Sequence, residues 1–177
     1  ATSPSGHVHG MPLACLLGEG PAELTGLLGP GPVLRPDQVS LLGVRSIDPG
    51  EAVFLRRHGL EVVRFTQGQA LVEGLAQVLA RGDAHTHVHL SLDLDVLEPA
   101  CAPGVSTPEP GGPDFAQMLR CMQCLADDGR VGSVDLVELN PLRDVQGNTA
   151  RLAVGLMARL WSSGGQNTQS KPVVINK

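Results

Sequence analysis

The chain has 177 residues, 42% of them apolar and 18% charged, which suits a globular core and excludes a disordered polyelectrolyte. A net charge of −5 and 2% aromatic residues, with no Tyr, argue against duplex DNA, anionic membranes and base-stacking platforms as partners. The 22 Gly and 14 Pro follow no collagen-like period, and no apolar run reaches the length of a membrane span.

The first residues, Ala1-Thr2-Ser3-Pro4-Ser5, carry no signal-peptide pattern and no initiator Met, so the chain is expected to be processed or cut from something longer. Strand and helix signals then alternate. Val39 to Val44 is a short, almost continuous apolar run, as in a buried strand. Asp48-Pro49-Gly50-Glu51 opens a helix that runs to about His58. Asp48 is placed as N-cap, Pro49 at the first helical position and Glu51 three residues on, and Gly59 is placed to end the helix. Leu60 to Phe65 reads as the next strand. Residues 69–81 read as a helix with Leu71, Leu75, Val78 and Leu79 on one face.

His87 to Asp95 alternates strictly. Val88, Leu90, Leu92 and Leu94 lie on one side, and His87, His89, Ser91, Asp93 and Asp95 lie on the other. A long Pro-rich loop, Val96 to Gly112, follows, and loops of that length inside a domain are usually functional. A helix over 114–126, a strand over Val131 to Leu139 and a helix over 148–161 complete the order. The tail from Ser162 is polar and expected to be loose. Residues 1–161 thus read as one domain and 162–177 as a tail. Alternating elements imply an α/β fold with a parallel sheet, whose binding sites lie at the carboxyl ends of the strands.

The notable acids fall at such ends. Asp93 and Asp95, two apart on one strand, would repel each other if both were ionised. They read as ligands of a divalent cation or as a solvated, salt-bridged strand end. Asp48 and Glu51 suit a helix start with no ligand at all. Glu138 is either solvated or a receiver for a cation. His7 and His9, in a Gly-rich segment, read most simply as surface residues. Asp83 and His85 resemble a metal run, but they precede the strand at its amino end and read as turn residues. Cys121 and Cys124 form a single C-x-x-C in a helical pattern. With no second such pair, reduced thiols are the simpler reading than a redox or zinc site.

Ser91-Leu92-Asp93-Leu94-Asp95-Val96-Leu97-Glu98-Pro99, with Ala102-Pro103-Gly104-Val105-Ser106-Thr107-Pro108-Glu109-Pro110-Gly111-Gly112, resembles the ureohydrolase signature. That family comprises arginases, agmatinases and formiminoglutamases. Asp135 to Pro141 and Ser5 to Pro12 extend the likeness, and the D-P-G-E run resembles the arginase branch. The resemblance covers the carboxyl-terminal two-thirds of such a protein. It implies a three-layer α/β/α sandwich around a mostly parallel sheet, with the amino-terminal strands absent. It also implies two Mn²⁺ ions whose bridging hydroxide attacks the guanidinium carbon of L-arginine, giving L-ornithine and urea.

The same resemblance implies roles residue by residue. Asp93 would bridge the metals and Asp95 would bind one of them. Glu138 would hold the guanidinium, and Thr107 would line that end of the site. His9 would pass a proton to the departing amine. Ser5 would contact the substrate α-carboxylate, Asp48 its α-amino group with Glu51 nearby, and His7 stands at the same end where arginases usually have Asn. The remaining metal ligands, a His and a D-x-H-x-D run, would precede Ala1. A homo-oligomer, trimer or hexamer, is also implied, while the expected reduced thiols and the lack of a signal-peptide pattern point to the cytoplasm. Hydrolysis of agmatine or a guanidino acid, and an inert truncated subunit, are the alternatives.

Overall fold

The computed structural model describes residues 6–65, 70–162 and 170–175, with backbone alone at Ala70 and 170–175. Five strands, β1 (Ser40–Val44), β2 (Glu61–Arg64), β3 (His87–Asp93), β4 (Val131–Val137) and β5 (Ser170–Ile175), form one sheet in the order β2-β1-β5-β3-β4. The pairings of β1 with β5, β5 with β3 and β3 with β4 are all parallel. This is an α/β architecture built on parallel pairings, as the alternating pattern predicts. The helices are α1 (Pro12–Leu16), α2 (Ala22–Thr25), α3 (Pro49–His58), α4 (Ala70–Leu79), α5 (Phe115–Asp128) and α6 (Asn148–Trp161).

The chain divides into two compact units. The first comprises residues 1–39 and 47–61, and the second comprises 40–46 and 62–177. In the second, one apolar cluster joins Val88, Leu90 and Leu92 of β3 to Leu71 and Leu75 of α4, Met118, Met122 and Leu125 of α5, and Leu156 and Leu160 of α6. Alternation in β3 therefore does what the sequence predicts, since its even positions are buried and its odd positions half-buried. The other face of β3 and β4 carries a polar ladder. His89 Nδ1 meets Ser133 Oγ at 2.8 Å, His89 Nε2 meets Asp135 Oδ2 at 3.0 Å, and Ser91 donates to Asp135 Oδ1 at 2.6 Å. Helix α5 begins at an Asp114–Gln117 capping box and ends at Gly129, whose φ of +74° suits a residue without Cβ.

In the first unit, α3 starts and stops as its sequence requires. Glu51 forms its half of the expected capping box, accepting the Asp48 N–H on Oε2 at 2.8 Å, while the Asp48 side chain makes no cap bond, and Gly59 closes the helix in the left-handed region at φ +61°. Glu19 binds Arg57 and His58 of the last turn, and those partners, His58 first, hold its carboxyl below the usual range.

Two expectations need correction. The loose polar tail contains a strand: Ser170–Ile175 enters the sheet between β1 and β3. Pro172 hides it from a sequence reading, because a residue without N–H argues against a central strand. Asp95, expected on the strand with Asp93, lies beyond it in a 3₁₀ turn, Leu94–Val96. Strand alternation breaks there, so Leu94 and Asp95 are both buried. No described helix is long and apolar enough to cross a membrane.

Candidate functional site

The site residues of the second unit gather at the carboxyl ends of β3 and β4. Asp93 is the last residue of β3, and its Oδ1 accepts the Asp95 N–H at 3.1 Å, which caps the 3₁₀ turn. That turn tucks Asp95 inward to 2% exposure. Thr107, brought back by the long loop, donates its hydroxyl to Asp95 Oδ2 at 2.8 Å. The sequence resemblance places Thr107 in the substrate pocket. The structure shows it hydrogen-bonded to the buried acid.

Glu138 follows β4 directly. Asp93 is in register with Val137, so Glu138 stands one residue past the level of Asp93. Its φ is +65°, the left-handed region, which costs a side-chain-bearing residue about 1–2 kcal/mol. Such strain tends to persist where the surroundings fix it. Here they do. Asn140 N–H donates to Gly104 O at 2.7 Å, Asn140 Nδ2 to Ser106 Oγ at 3.0 Å, and Arg143 Nη1 to Ser106 O at 2.9 Å. The segment after β4 is thereby tied to the same loop that carries Thr107.

The electrostatics follow from this crowding. Burial, then the neighbouring Asp95 carboxyl, then Glu138 push the Asp93 carboxyl up to about 7. The charged form of Asp93 is thus disfavoured beside Asp95 and Glu138. Such a donor set matches a hard divalent cation in kind, because oxygen ligands suit Mn²⁺ or Mg²⁺. It falls short in number. Among the described residues, no three His, Cys, Asp or Glu side chains form a group that could hold a metal ion.

The long loop is irregular but tightly held. Glu98 Oε2 accepts Gly111 N–H at 2.8 Å and Gly112 N–H at 3.2 Å, and Glu98 N–H donates to Pro113 O at 3.0 Å. The end of the loop thus returns onto its start. At Gly112 a Cβ would run into Val96 O, so the close approach needs glycine. One contributor has no motif of its own. Arg45, next after β1, donates to the carbonyls of Asp95, Val96 and Glu109. The only sequence signal for it is a cation placed straight after a strand that is buried at every position.

The remaining candidates belong to the first unit. His9 lies in the exposed 3₁₀ turn Val8–Gly10, with its ring centroid 5.6 Å from that of His7. Asp48 and Glu51 sit at the start of α3, where Glu51 is engaged by the Asp48 N–H. Ser5 lies outside the described residues. Asp83 is a turn residue as expected, accepting from His85 N–H and the Thr86 hydroxyl, both at 3.0 Å. Cys121 and Cys124 are free, and burial pushes the Cys121 thiol up to about 12, as inert thiols require.

The arginase family model matches residues 1–162. The chain belongs to the arginase family. It is 43% identical over 166 residues to an arginase of Bacillus caldovelox, covering 90% of this chain and 54% of that one. A crystal structure of arginase from Bacillus cereus superposes with a TM-score of 0.82 at 38% identity, over 93% of this chain and 57% of the other. Proclavaminate amidino hydrolase from Streptomyces clavuligerus is also similar, with a TM-score of 0.62 at 33% identity over 72% of this chain and 43% of that one. The chain spans about half the length of the relatives it matches.

Proposed function

We propose that this chain is the carboxyl-terminal part of a manganese-dependent arginase, which hydrolyses L-arginine to L-ornithine and urea. One observation carries the reading: in a chain of this family, Asp93, Asp95, Thr107 and Glu138 converge at the carboxyl ends of β3 and β4. Asp93 and Asp95 would hold part of a two-metal centre, with the remaining ligands supplied from outside this chain. Bound there, the metal pair would supply a hydroxide nucleophile at neutral pH.

The chain's own residues do the rest. Glu138, held in its unusual backbone conformation, presents a carboxylate to the planar guanidinium, whose fork of N–H donors suits it. Thr107 fixes the orientation of Asp95 by its hydrogen bond. As water adds to the guanidinium carbon and the C–N bond to the amino-acid portion breaks, the departing amine needs a proton. His9 supplies it, an imidazole being suited to proton transfer near neutral pH. Ser5 and His7 would meet the α-carboxylate end of the substrate, and Asp48 the α-amino group with Glu51 beside it. The working form is a cytoplasmic homo-oligomer, trimer or hexamer, and the isolated chain is weak or inactive.

The test is urea release from L-arginine and from agmatine by a chain completed to the length of its relatives and loaded with Mn²⁺. Arginine turnover is expected. Rapid agmatine hydrolysis without arginine turnover would replace the substrate. The similarity to proclavaminate amidino hydrolase supports a second reading, another ureohydrolase acting on a guanidino acid. The absence of a three-donor group among the described residues supports a third, an inert subunit.

A further inference from the structure

Arg45 makes an unusual set of contacts. Its Nη1 donates to Val96 O at 2.6 Å and, more weakly, to Gly43 O at 3.4 Å. Its Nη2 donates to Asp95 O at 3.0 Å and to Glu109 O at 2.8 Å. All four acceptors are backbone carbonyls. Two lie at the start of the Pro-rich loop and one near its end, so a single planar group spans the loop's closure. Burial works against the charge of Arg45, while the carboxylates of Asp95, Glu109 and Glu98 favour it.

The geometry has a specific consequence. Asp95 is buried, and its carboxylate accepts from Thr107, which lies between the two loop segments that Arg45 holds. Thr107 can reach Asp95 only while the loop stays folded back. We propose that Arg45 is a positioning residue: its guanidinium staples the carboxyl end of β1 to both ends of the loop, and so fixes the Asp95 carboxylate and the Thr107 hydroxyl against each other. Its bearing on catalysis rests on the reading of Asp95 as a functional acid, but the staple itself does not. The role needs a fork rather than a charge. The guanidinium offers rigid, coplanar donors to several carbonyls at once, whereas an ammonium on a flexible stem offers a compact point charge.

The test uses this chain itself, ¹⁵N-labelled, as wild type, Arg45→Lys and Arg45→Met. Amide hydrogen exchange is read residue by residue, together with the amide resonances of Asp95 and Thr107. Both variants should exchange about tenfold faster or more at Asp95, whose N–H is held by Asp93 at the end of β3, and at Gly111 and Gly112, whose N–H groups are held by Glu98 within the loop. The Asp95 and Thr107 resonances should shift, while amides within β4 and α5 stay within about twofold of wild type. Lys should not rescue. Loop exchange equal to wild type in both variants overturns the proposal. So does acceleration spread evenly through β4 and α5, which would make Arg45 an ordinary stabilising residue. So does full rescue by Lys, which would reduce it to a point charge. Urea release by the completed wild-type chain tests the functional reading separately, and its failure would leave the exchange result standing.

Discussion

Two pairs of acids lie close in sequence, Asp48 with Glu51 and Asp93 with Asp95, and they end in opposite physical states. The first pair opens a helix. Glu51 is answered by the Asp48 N–H, and the dipole of α3 favours negative charge at that end. The second pair closes a strand and turns inward. Burial and mutual repulsion hold Asp93 partly protonated near neutral pH, with Glu138 adding to the repulsion. Spacing alone does not distinguish a satisfied pair from a frustrated one. Burial and the backbone path do, and frustration is what a cation would relieve.

The comparison can be broken most forcefully at Glu138. In the completed chain, Glu138→Gln should lower kcat/KM for arginine by about 10²–10³-fold, as removal of one charge-stabilising contact does elsewhere. Thermal stability should change little. Unchanged urea release would remove Glu138 from the site.

A second prediction separates the pairs by pH. Folded Asp93 keeps its proton up to about 7, whereas the ordinary carboxyl value is 3.8. Between those values the unfolded chain binds fewer protons, so this group makes stability fall as pH rises, with the full penalty above about 7. Asp93→Asn should therefore stabilise the metal-free chain at pH 8 by an amount on the order of 1–3 kcal/mol, and by less at pH 5. Denaturant unfolding at the two pH values reads this out. Equal effects at both would contradict the account.

Thr107→Val should cost about 1–2 kcal/mol by depriving buried Asp95 of a donor, measured by the same unfolding. Glu51→Ala sharpens the contrast from the other side. It should cost only about 0.5–1 kcal/mol, through loss of the one exposed bond that Glu51 accepts from the Asp48 N–H, read by the same unfolding. A cost as large as that of Thr107→Val would mean that the first pair is held as tightly as the second.

Much of the fold is legible in the sequence because it depends on local pattern. The alternation of Val88, Leu90 and Leu92 fixes which face of β3 is buried, and Asp48, Glu51 and Gly59 mark both ends of α3. Three features are not legible, each for a physical reason. The turn that buries Asp95 depends on loop closure far along the chain. The left-handed backbone of Glu138 is imposed by ties to Gly104 and Ser106 rather than by its own preference. Strand β5 contains Pro172, so its central place in the sheet runs against local propensity. The signature residues are readable as a motif. The frustration that makes them a site requires the fold.

The most direct test is bound metal per chain, measured by elemental analysis after Mn²⁺ loading and desalting, on this 177-residue chain and on a chain completed to the length of its relatives. The account predicts close to zero for the first and about two for the second, as in two-metal hydrolytic sites. About two ions on the shorter chain alone would contradict it, because the ligands would then lie within this chain or in a neighbouring copy.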